Sequence, residues 1–147
     1  MILREPAFKV VRASHSMYKK GAFVLIEPLV VAWESKRCVL TVGEGTFTNF
    51  SSVPFGFRNV FPVNGRHRLA AVAHDALYGM GGVFRTRTLI AVNGSFIQVK
   101  EDAFVYYSRK EADQLFYDLM IVEGVNKVKA WLMFRAVRLF GKSHWSA

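Results

Sequence analysis

Apolar and β-branched residues fill Phe8 to Val11 and Gly21 to Val31 without a helical period, so both stretches predict strands, the second interrupted at Pro28. Arg37 to Val42 reads as a further strand, and Gly43 and Gly45 punctuate it. The expectation is a small antiparallel sheet over residues 1–45. The pattern then changes to a dense mixture of Gly, Thr, Asn, Ser and Pro over residues 46–65, an ordered loop. Within it Thr48, Asn49, Ser51 and Ser52 can bond their own backbone or point at the element that follows. Pro54 and Pro62 bracket Phe55, Phe57 and Phe61, which are expected to cover the entrance to that element.

Helical signals begin at residues 66–79, where Ala70, Ala71, Ala73 and Ala76 favour helix and Gly79 can end it. Beyond Gly81 and Gly82, Asn93-Gly94 between two alternating apolar runs predicts a hairpin within residues 83–107, an appendage with an exposed tip, and Phe104 to Tyr107 predict a short strand. Ser108 and Glu111 form a capping box that opens a second helix with Ala112, Leu115, Phe116, Leu119 and Met120 on its apolar side. Asp113 falls on the border of that stripe. A third helix runs from about Asn126 to Phe140, and Val128, Trp131, Leu132, Ala136 and Leu139 are its expected core stripe, with Lys127, Lys129, Arg135 and Arg138 around it. Phe134 and Trp145 are left over, and are expected to be exposed or to form an interface with a partner chain. The class is therefore α+β in one domain: an N-terminal sheet, three main helices (108–141 being the helical pair), an inserted hairpin between the first two, and a tail over 142–147.

The richest chemistry lies on the first helix. At 3.6 residues per turn His74 and Tyr78 share a face, with Asp75 beside them. Imidazole changes charge near neutral pH and a neighbouring carboxylate can fix its tautomer, so a general base and a metal-ligand unit are both open. A pair of core residues with satisfied hydrogen bonds is the structural alternative. His15, in a polar connection, is expected to face solvent.

Composition narrows the classes. With 147 residues and 52% hydrophobic side chains, the chain can bury a core unaided, and the 14% aromatic content suggests that some rings cover a partner or a membrane. The one cysteine, Cys38, lies in an apolar run and is expected to be a buried structural thiol. Twenty Lys and Arg against eleven Asp and Glu leave a charge of +9, which favours an anionic partner such as nucleic acid, lipid or an acidic protein surface. No apolar run reaches membrane-span length and no signal peptide is visible, so synthesis and folding in the cytoplasm are expected. P-loop, Rossmann, Cys-x-x-Cys and Gly-x-Ser-x-Gly motifs are absent, which argues against nucleotide hydrolysis, dinucleotide redox chemistry and structural zinc.

The succession Thr48-Asn49-Phe50-Ser51-Ser52-Val53-Pro54, His74-Asp75-x-Leu77-Tyr78, Ser108-Arg109-Lys110-Glu111-Ala112-Asp113 and Trp131-Leu132-Met133 resembles the phage and prophage family of unknown function DUF1353. The family loop is usually Thr-Asp-Phe-Ala-Ser-Val-Pro, so Asn49 replaces a carboxylate, which weakens any hard-cation site. The resemblance implies a phage or prophage gene, often among structural and lysis genes. The His-Asp helix followed by a helix bearing Asp is also similar to A2-type phospholipases. That likeness implies His74 as base, Asp75 as a ligand or neighbour and Asp113 as the orienting group, although the disulfides and glycine-rich calcium loop of those enzymes are missing.

Two function classes follow. One is a virion component, of tail or baseplate type, made in the bacterial host and binding other phage structural proteins. The other is a small hydrolase acting on ester or amide bonds of the host envelope, with His74, Asp75 and Asp113 as candidate catalytic residues and Asn49, Ser52 and Tyr78 in support. No cofactor is expected, a divalent cation having no complete ligand set. A nucleic-acid-associated role rests on charge alone.

Overall fold

The computed structural model describes residues 2–4, 8–10, 23–48, 67–92, 95–98 and 103–145. Alternating side chains build the core sheet. Strand β4 (Leu29–Trp33) pairs antiparallel with β5 (Cys38–Val42) in the register Leu29 to Val42, Val31 to Leu40 and Trp33 to Cys38. All six of these side chains are buried, because a period of two puts them on one face. Strand β1 (Ile2–Arg4) lies on the far side of β4. A second sheet of β2 (Phe8–Val10), β3 (Phe23–Leu25) and β6 (Phe47–Thr48) separates from the first at the break around Pro28.

The α+β class holds, but the main sheet draws on both halves of the chain. Strand β7 (Val83–Val92) pairs through Thr86 to Thr88 with β5. On its other flank its first residues pair with β9 (Ala103–Tyr106) and its last with β8 (Ser95–Gln98). The expected hairpin is thus rooted in the sheet through an interior strand. Its turn at Asn93-Gly94 lies outside the described residues.

Helix α1 (Arg68–Gly79) is buried along most of its length, from Ala70 to His74 and from Ala76 to Tyr78. Its small side chains let it approach α2 (Arg109–Val122) closely, and Ala112 of α2 is likewise fully buried. The capping box of α2 is formed: Glu111 N–H donates to Ser108 Oγ at 3.2 Å and Ser108 N–H to Glu111 Oε2 at 2.9 Å. The expected apolar side of α2 is entirely in the core. Trp33 Nε1 donates to Asp118 Oδ2 at 2.8 Å, which ties the sheet to this helix. Cys38 is buried, and burial pushes its thiol pKa up, as suits a structural role.

Helix α3 (Lys127–Phe140) requires a correction. Its core side is Ala130, Met133, Ala136 and Val137, whereas Val128, Trp131, Leu132 and Leu139 of the expected stripe are exposed. Of that stripe Ala136 alone is buried. Phe134 and Trp145, expected to be exposed or at an interface, both make contacts within the chain. Phe134 is half-buried and meets the Tyr117 ring edge-on at 5.8 Å, and Trp145 packs on the core with its ring perpendicular to Tyr78 at 5.0 Å. Intramolecular aromatic contact accounts for both.

Candidate functional site

Each of the three helices sends a side chain to one buried carboxylate. Asp113 of α2 has no solvent exposure. His74 Nε2 donates to its Oδ1 at 2.7 Å and the Tyr78 hydroxyl donates to the same oxygen at 2.6 Å, both from α1. Arg138 of α3 donates through Nη1 to Oδ2 at 2.7 Å, and Arg109 Nη1 stands 3.9 Å from that oxygen. Arg109 also donates to the backbone carbonyls of Val137 and Arg138 at 3.3 and 3.1 Å, so it holds the end of α3 against α2.

Burial alone would push the Asp113 pKa up. The hydrogen bonds from His74 and Tyr78, the attraction of the imidazole and the Arg138 contact outweigh it, so the carboxyl titrates below its ordinary range and is ionised at neutral pH. Burial and the bond to Asp113 raise Tyr78 well above the usual phenol value, so it remains a neutral donor. An ionised Asp113 can only accept, so Nε2 is the donor of the bond between them. The His74 ring lies against Tyr78 at 4.1 Å and Phe116 at 4.8 Å between centroids, which locks its plane.

Asp75 is directed elsewhere. Its Oδ2 accepts from Thr48 Oγ1 at 2.7 Å, and the buried Thr48 thereby fastens the start of the polar loop to α1. Of the sequence candidates, His74, Tyr78 and Asp113 converge, while Asp75 faces β6. Asn49 and Ser52 lie outside the described residues, as does His15. Among the described residues no three His, Cys, Asp or Glu side chains group as a metal site.

In the sequence Arg138 reads as one of the basic residues around the third helix, and Arg109 appears only within the Ser-Arg-x-Glu-Ala-Asp segment. The spacing of Arg109 and Asp113 at i and i+4 carried a signal for the first, whereas Arg138 reaches Asp113 only through the packing of α3 on α2. His67, at the N-cap of α1, is also buried, and its Nε2 has no hydrogen-bond partner. Burial lowers its pKa, which favours a neutral ring.

The family model described as Protein of unknown function (DUF1353) matches residues 23–137, which cover α1, α2, all but the last three residues of α3 and most of the described sheet. The chain belongs to this family. No curated protein and no solved structure matches it. In this member of the family, the His-Asp-x-Leu-Tyr and Ser-Arg-x-Glu-Ala-Asp segments meet in space through the hydrogen bonds of His74 and Tyr78 to Asp113.

Gly141 supports this arrangement from the end of α3. A Cβ there would stand 2.8 Å from the Tyr78 hydroxyl oxygen and 3.2 Å from the ring, so Gly141→Ala forces Tyr78 or the end of α3 to shift and is expected to strain the bond from Tyr78 to Asp113. The expected cost is about 1 to 3 kcal/mol from overpacking. Tyr78→Phe should cost about 1.5 to 3 kcal/mol through the lost bond to a charged acceptor. Because both act on the same bond, their effects in a double-mutant cycle should sum to more than the double variant loses, by at least about 0.5 kcal/mol. Urea melts of the four proteins measure it, and strict additivity would separate Gly141 from the Asp113 cluster.

Proposed function

We propose that the protein is a small hydrolase of phage or prophage origin that cleaves ester or amide bonds of the host envelope, with His74 as general base. The observation that supports this reading is the His74 to Asp113 pair. A carboxylate on Nε2 orients the ring and stabilises the imidazolium that forms when Nδ1 takes a proton. In the proposed step a water oxygen adds to the acyl carbon as its proton passes to Nδ1. The bond to the leaving oxygen or nitrogen then breaks, and the same proton is returned to that leaving group.

Two features favour this over simple packing. Buried ionic clusters are commonly no more stabilising than apolar side chains of equal volume, so stability alone gives no reason for a carboxylate with three side-chain donors. Such a carboxylate also leaves His74 one orientation, the preorganisation that catalysis requires. Roles for His74 as base and Asp113 as orienting group agree with those implied by the A2-type resemblance. Asp75 takes the neighbour role, through Thr48.

A second reading, a virion assembly protein in which the cluster fastens three helices, draws support from burial: the His74 residue is only 2% exposed. The hydrolase reading therefore requires an open state in which Nδ1 meets water and substrate.

Purified protein and its His74→Asn variant, assayed on phospholipid, short-chain ester and cell-wall substrates, separate the two. Turnover reduced about 10²- to 10⁴-fold in a variant that keeps its far-UV spectrum is the expected result. Absence of turnover by the folded parent on all three substrate classes would reject the hydrolase and leave the assembly reading in its place.

A further inference from the structure

The face of α3 turned away from α2 is apolar where a solvated helix is ordinarily charged. Val128 is 66% exposed, Trp131 53%, Leu132 40% and Leu139 65%. Their spacing places them along one side of the helix, opposite Met133 and Val137. We propose that this face is a docking surface for an anionic lipid membrane, on which α3 lies parallel to the bilayer plane. The proposal is independent of the hydrolase reading.

Charge selects the occupant. From Asn126 to Ala147 the chain has Lys127, Lys129, Arg135, Arg138 and Lys142 and no Asp or Glu. Arg138 is engaged with Asp113, but the exposed Lys127 and Lys129 flank the apolar stripe and Lys142 follows it. Arg135 rises from within the stripe, its guanidinium carbon 5.9 Å from the Trp131 ring centroid. Long cationic side chains can keep their charge among headgroups while their stems and the neighbouring apolar groups enter the acyl boundary. Indole, leucine and valine on one side with lysine and arginine beside them is the composition of an interfacial helix. The chain's net charge of +9 adds long-range attraction to an anionic leaflet. No helix among the described residues is long and apolar enough to cross a membrane, so this contact is peripheral.

The test is co-sedimentation of the full chain with vesicles of phosphatidylcholine containing phosphatidylglycerol, against vesicles of phosphatidylcholine alone, with tryptophan emission recorded in parallel. Binding to the anionic vesicles with a blue shift is expected, together with weak binding to the neutral ones. Trp131→Phe should remove most of the shift while retaining binding, because Trp33 is already buried and Trp145 packs on the core. Trp131→Ala with Leu139→Ala should lower partitioning about tenfold or more. Lys127→Glu with Lys129→Glu should do the same, and so should added salt. All of these side chains are exposed, so the fold is retained and near-native thermal melts verify it. No binding to anionic vesicles overturns the proposal, as does binding that ignores lipid charge. A concentration-dependent dimer abolished by the Trp131 and Leu139 substitutions would assign the face to a second copy of the chain and equally overturn it.

Discussion

Asp113→Ala is expected to destabilise the protein by about 3 to 5 kcal/mol, because it leaves the buried His74 and Tyr78 donors without their acceptor and the half-buried Arg138 without its counter-charge. His74 and Tyr78 would lose their shared partner inside the core, and the half-buried Arg138 its short ion pair. For a chain of this size the loss corresponds to a fall in Tm of roughly 10 °C or more. Asp113→Asn should cost less. It keeps the shape and an acceptor oxygen but turns an amide N–H toward either Arg138 or the His74 and Tyr78 pair. The sign of the pH dependence follows from the direction of the Asp113 shift. Its folded pKa lies below the ordinary 3.8, so its contribution to stability is fully present above that value. That contribution is lost as pH falls through the lower, folded value. Urea melts at neutral pH and at successive acid steps measure both quantities, and the alanine variant should show a shallower acid loss than the parent. Glu111 adds to the parent's slope in the same direction. Its pKa is drawn down to about 2, chiefly by the Lys36 ammonium and then by the Ser108 backbone, and Asp113→Ala leaves that part in place. A destabilisation under about 1 kcal/mol for Asp113→Ala would mean that the cluster does not hold the helices together.

The parts legible in the sequence were those fixed by local chemistry. The Ser108 and Glu111 capping box specifies its own helix start, and a single apolar stripe on α2 left only one way to bury it. Strands β4 and β5 follow from their apolar, β-branched runs. The His74 and Tyr78 pair was legible for the same reason, since one helical turn determines their juxtaposition. Pairings between distant segments were not legible. The alternation in β7 predicts a strand, but nothing in it shows that Thr86 and Thr88 lie opposite Leu40 and Cys38, which makes β7 an interior strand. The third helix failed for a different reason. It has two apolar stripes, and side-chain size favoured the wrong one. Its rotation follows the polar contacts as well: Arg138 must reach Asp113, and Arg109 must reach the carbonyls of Val137 and Arg138. Those contacts turn Ala130, Met133 and Val137 toward the core. Small residues at a helix contact permit close approach, whereas Trp131 there would force the helices apart.

That rotation makes a second large prediction. Met133 is 1% exposed on the core side of α3, and Met133→Ala should cost about 2 to 5 kcal/mol through lost burial and the cavity left behind. Leu139→Ala removes a side chain of similar size from the same helix, yet at 65% exposure it should stay within about 0.5 kcal/mol of the parent. Helix propensity barely separates the two, because Leu and Met are close on that scale and both are replaced by the same residue. The contrast between them therefore reads the rotation of the helix. Equal effects, or a larger one at Leu139, would restore the stripe that side-chain size suggested and would bury the face assigned to the membrane. The expected order instead leaves Leu139 available for lipid in a fully folded protein. Its removal should then weaken vesicle binding with little change in Tm, whereas Met133→Ala lowers Tm and, below the melt, leaves vesicle binding near that of the parent.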